Sequence, residues 1–141
     1  MRGTRLLSLV QGLMALAVVP AVAFAAVDGA RYSATIGPGY PMSFRVSAGG
    51  TEVTNLVVSF EETCNGAAGD TPPKFHFGTL SIRGGRFSGR DTDHFGSTVS
   101  DGLYISGRFS GRKATGKVSD TSKIKSLPSC TETEPFTATV K

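Results

Sequence analysis

Histidine and cysteine are scarce, with two of each in 141 residues. His76 and His94, even beside Asp91 and Asp93, fall short of a zinc site, which takes three or four ligands of suitable type and geometry. The run Asp91-Thr92-Asp93-His94 lacks the glycine and distal glutamate of a calcium loop and reads as a solvated loop. No metal and no cofactor is expected. Signatures of catalysis are missing too. No serine sits in a G-x-S-x-G elbow, neither histidine marks a triad, and no Gly-x-x-x-x-Gly-Lys-Ser/Thr loop is there to cradle a phosphate. Glu61 and Glu62 are neighbours in a predicted strand, so they point to opposite faces and cannot act as a paired acid and base. No catalytic residue is assigned. After residue 27 no stretch is apolar enough to span a bilayer, and the C-terminus has no hydrophobic tail. The apolar spacing of three and four that marks an amphipathic helix is absent as well.

What is present at the N-terminus has the layout of a secretory signal. Arg2 and Arg5 give a basic start, Leu6 to Val19 is largely apolar, and Pro20 ends any helix. Ala23-Phe24-Ala25 then supplies the small residues that signal peptidase accepts, placing the cut after Ala25, with Ala21-Val22-Ala23 as a second site that would cut after Ala23. The competing reading is an uncleaved anchor, since Leu6 to Val27 matches the roughly 20 residues of a membrane span. Pro20 and the alanine-rich end favour processing. With no cysteine in this region a lipid anchor is excluded. The expected organisation is a signal peptide over 1–25 and one domain over 26–141, exported to the periplasm or beyond and not embedded in a membrane. Loss of Arg2 and Arg5 takes the net charge from +4 to about +2, so bulk charge says little about partners.

In an exported chain the two cysteines, Cys64 and Cys130, are expected to be oxidised and paired, linking the end of the third strand to the loop before the last one.

Period-two alternation recurs wherever the mature chain is apolar. Tyr32, Ala34 and Ile36 form one inward face, Met42, Phe44, Val46 and Ala48 the next, and Leu56, Val58 and Phe60 a third on a strand running from Val53 to Thr63. After a Gly-, Ala- and Pro-rich loop from Asn65 to Pro73 come Phe75, Phe77, Leu80 and Ile82, whose change of parity predicts a bulge or bend near Gly78. A short strand around Phe87 follows, then Leu103 to Phe109, Ala114 to Val118, and Phe136 to Val140. About eight short strands with close turns predict an all-β domain, an antiparallel sandwich or a small barrel; the alternation is the same in both.

Gly85-Arg86-Phe87-Ser88-Gly89-Arg90 recurs as Gly107-Arg108-Phe109-Ser110-Gly111-Arg112. With both phenylalanines inward, Arg86, Arg90, Arg108 and Arg112 point outward, and neighbouring repeat strands would put four guanidinium groups on one face. Such a face could hold an acidic polysaccharide. The alternative is a solvated face neutralised by Asp91, Asp93 and Asp101.

The runs Ile105-Ser106-Gly107-Arg108-Phe109 and Ala114-Thr115-Gly116-Lys117-Val118, followed by Cys130 and a closing strand with Phe136 and Ala138, resemble those of small secreted β-proteins of high-GC bacteria. Such proteins also often carry an earlier cysteine after a third strand, where Cys64 stands. The resemblance brings no function with it. The functional expectation is a secreted, non-catalytic β-sheet module that binds or shapes a component of the envelope or extracellular space. A small secreted hydrolase is the alternative, as is an inhibitor of one that presents the Asn65 to Pro73 loop. Nucleic acid is not expected, because the phenylalanines mostly occupy inward positions and leave no stacking platform.

Overall fold

The computed structural model describes residues 25–61, 63, 72–95, 99–124 and 127–141, without the side chains at 93–95, 99, 100 and 124. Among them are nine antiparallel strands: β1 Arg31–Ile36, β2 Tyr40–Val46, β3 Glu52–Ser59, β4 Lys74–His76, β5 Leu80–Ser81, β6 Arg86–Phe95, β7 Val99–Ser110, β8 Lys113–Ile124 and β9 Cys130–Val140. They form one sheet in the order β4-β3-β2-β1-β9-β8-β7-β6, with β5 also paired to β3. The sheet curls into a nearly closed barrel, which decides between the sandwich and the barrel.

Closure depends on a tight turn. Gly84 and Gly85 have φ of 55° and 71°, the left-handed conformation that a two-residue hairpin needs at both central positions. Across it Arg83 and Arg86 exchange backbone hydrogen bonds of 2.9 and 3.0 Å. Just upstream, Ile82 donates to the Thr51 carbonyl at 2.7 Å, so one short segment ties the β3 side of the sheet to its β6 edge.

The alternation read from sequence describes the core. Tyr32, Ile36, Met42, Phe44, Val46, Leu56, Val58, Phe60, Phe75, Phe77, Phe87, Leu103, Ile105, Phe109, Val118 and Phe136 are all buried. Aromatic rings fill one end, where Tyr32 stacks on Phe44 at 5.0 Å and Phe109 meets both Tyr32 and Phe87. The Tyr32 hydroxyl stays satisfied, donating to the Gly111 carbonyl at 2.7 Å and accepting from the Val27 N–H at 3.0 Å. The core lies inside while the outer parity carries Arg, Lys, Ser and Thr, the reverse of the apolar outer band of a membrane barrel.

Several sequence expectations are corrected. The strands are not uniformly short, since β6 to β9 run for 10 to 12 residues each. Asp91-Thr92-Asp93-His94 belongs to β6, paired with β7, and is not a loop. The reason is that the ladder is built by backbone groups and continues where the inward residues turn polar, as at Asp120 and Ser122. Cys130 opens β9 and does not sit in the loop before it. β3 ends at Ser59, so Glu61 follows the strand and Glu62 lies outside the described residues. Ala48 is exposed in the turn after β2. The bend near Gly78 is present as the break between β4 and β5. A second irregularity, not foreseen, is at Asn55, whose φ of 51° accompanies a register shift against β2 and lets both Val53 and Leu56 face inward.

Candidate outer-face binding site

The two hexapeptide copies lie on neighbouring strands, but antiparallel pairing does not align them residue for residue. Arg86 stands directly opposite Arg108, and Phe87 opposite Gly107. Arg90 instead faces the partly exposed Tyr104, and Arg112 lies in the turn between β7 and β8. All four arginines are exposed, as expected from the alternation, yet only Arg86 and Arg108 form a cross-strand pair.

That pair lines an open outer groove of about 870 Å³ together with Arg83 and Lys117. Each cation arrives by a separate route. The Gly84-Gly85 turn sets Arg83 against Arg86, and the β7–β8 register places Lys117 opposite Ser106, two residues along the strand from Arg108. Ser88, Ser106 and Thr115 supply hydroxyls between them. Neither Arg83 nor Lys117 was picked out by the repeat. Arg83 could have been found from the glycine pair that follows it, whereas Lys117 needs the long-range register.

No carboxylate lines this groove among the described residues. Asp91 is opposite buried Leu103, which is opposite Asp120, which is opposite Glu132, so these acids share the inward parity. Asp101 belongs to that face as well, and its Oδ1 is buried. Neutralisation of the arginines by Asp91 and Asp101 is therefore corrected: strand alternation puts them on the other side of the sheet. The side chain of Asp93 lies outside the described residues.

A second outer groove of about 780 Å³ spans β1 to β4 and the end of β9, with Arg31, Lys74, His76 and Lys141 around it and hydroxyls from Ser33 and Thr139. His76 is thus on the outer face, whereas Asp91 is on the inner one. Among the described residues no three His, Cys, Asp or Glu side chains are grouped to hold a metal ion. Cys130 is buried and is not free, while Cys64 and nearly all of the Asn65 to Pro73 loop lie outside the described residues. No family model, curated protein or solved structure matches the chain.

Proposed function

We propose that the chain is an exported, non-catalytic binding module whose outer groove holds an acidic polysaccharide. The observation that carries this reading is the gathering of Arg83, Arg86, Arg108 and Lys117 around one outer groove. Strand register sets Arg86 directly opposite Arg108, so their guanidinium groups share one stretch of the outer face. Arg83 and Lys117 line the same groove, so an anionic ligand there would meet four cationic side chains. Guanidinium forks bind carboxylate or sulfate oxygens through paired hydrogen bonds, and the serine and threonine hydroxyls can donate to or accept from sugar hydroxyls.

The test is retention on immobilised polygalacturonate at low salt, with neutral dextran as control. The unmodified protein should be held and should elute as salt rises. A variant carrying Arg83→Gln, Arg86→Gln, Arg108→Gln and Lys117→Gln should bind at least tenfold more weakly, about 1.4 kcal/mol, with an unchanged circular dichroism spectrum. Arg90→Gln with Arg112→Gln should keep most of the retention, because neither side chain lines the groove. Equal retention of the groove variant, or no retention of the unmodified protein, would overturn the reading.

Export is part of the same proposal. The secreted product should have the intact mass of a chain starting at Ala26, or at Phe24 if the earlier site is used. Only the longer product retains the Ala25 carbonyl that the Gly111 N–H bonds at 3.1 Å. Full-length protein held in the membrane would exclude processing.

A further inference from the structure

We infer that the two outer grooves are one continuous track and that the ligand is a polyanion that wraps around the barrel across the strands from β6 to β4. The inference rests on the acidic-polysaccharide reading and deepens it from a single contact to a polymer.

Strand register carries the argument. The first groove reaches β8 at Thr115, the second reaches β9 at Thr137, and these two residues are direct cross-strand partners. In one row Arg86, Arg108, Thr115 and Thr137 succeed one another across four strands. In the adjoining row Lys113 pairs with Thr139, Thr139 with Ser33, Ser33 with Ser43, Ser43 with Val57, and Val57 with His76. Arg86 and Arg108 therefore stand at one end and Lys74 at the other, with hydroxyls, Lys113, Arg31 and Lys141 between them.

At about 4.8 Å per strand step, the seven steps from β6 to β4 cover about 34 Å along the curved surface, against about 14 Å from Arg86 to Thr137. A small anion would occupy one end only. A chain of repeating carboxylates can engage both, and once one end is bound the other binds at high effective concentration. The track favours a glycan over a single-stranded nucleic acid, which needs aromatic platforms for its bases. Among the described residues the large exposed apolar side chains are Tyr104 and Leu127, and neither lines either groove.

The experiment measures dissociation constants for oligogalacturonates from trimer to dodecamer at low salt. It compares the unmodified protein with a second-groove variant, Arg31→Gln, Lys74→Gln and Lys141→Gln, whose thermal melt checks its folding. For the unmodified protein, affinity should rise at least tenfold from the shortest to the longest oligomer. The variant should flatten that rise while holding the shortest oligomer within twofold of the unmodified value. A plateau at lengths that fill one groove, or the same length dependence in the variant, would overturn the track and leave the first groove's function standing. Absence of binding at every length would overturn both. Tighter binding of a deoxyoligonucleotide of equal length and charge would overturn the choice of a glycan.

Discussion

Truncating Phe109 to alanine is expected to destabilise the protein by about 3–5 kcal/mol, the range for removing a fully buried phenylalanine. Phe109 has no exposed surface and packs its ring against Tyr32 at 5.4 Å, Phe87 at 5.3 Å and Phe44 at 6.1 Å. Its surroundings cannot readily close over the gap. β7 is hydrogen-bonded along both edges, and the Phe109 N–H is held by the Gly85 carbonyl at 2.8 Å. Its cross-strand neighbour Ala114 is too small to reach into the space. Against a total stability of about 5–15 kcal/mol, the loss should lower the melting temperature by about 10 °C or more. Thermal and urea unfolding would read it, with Phe109→Leu as the milder control. A loss below about 1 kcal/mol would mean that the aromatic end is not the packed core described here.

The inward set was legible because alternation marks the buried face wherever that face is apolar. Phe109, Val118, Phe136 and Ala138 all fall where alternation places them. The signal fades at the other end of the barrel, where Asp120 is 1% exposed and Ser122 6%. Hydrophobic patterning reads those positions as surface, while the hydrogen-bonded ladder runs on beneath them. Strand length was therefore underestimated in β6, β8 and β9 for one physical cause: the pattern reports side chains, and the strand is made by the backbone.

The arginine face was legible only in part. Sequence repeats say which residues are alike, whereas an antiparallel register decides which of them meet. The pairing that sets Arg86 against Arg108 necessarily sets Arg90 against Tyr104 and carries Arg112 past the strand end. A register shift of one residue would have reversed the faces of the whole strand, so the choice is fixed by the inner packing. Gly107 and Gly116 show how. They are cross-strand partners lying between Phe87 and Phe136, and a methyl group on Gly107 would sit 2.5 Å from the Phe87 ring. Two glycines that read as ordinary turn or strand residues are what lets the aromatic rings lie over the sheet at this register. The same close packing keeps Arg108 and Lys117 facing the groove on the opposite surface.

Replacing Cys64 and Cys130 with serine is expected to cost about 4 kcal/mol at most, the chain-entropy value for opening a loop of roughly 67 residues. We propose the pairing from the Cys130 side and from the residue that precedes Cys64. Cys130 is 4% exposed on the inward parity of β9, opposite Ser122. Two residues further along, the Glu132 carboxylate accepts hydrogen bonds from the Thr63 N–H at 2.8 Å and the Thr63 hydroxyl at 3.1 Å. Cys64 is the next residue in sequence after Thr63, and Cys130 is the other cysteine of the sequence. The double variant should melt lower, by up to about 15 °C, and keep its β-sheet circular dichroism, because the apolar core does not depend on the bond. A reducing agent should lower the melting temperature of the unmodified protein by a similar amount and leave the variant unmoved. That comparison separates loss of the crosslink from any cost of putting a hydroxyl at the buried Cys130 position, which only the variant bears. Titration of the native protein should find no free thiol, and two free thiols would overturn the pairing.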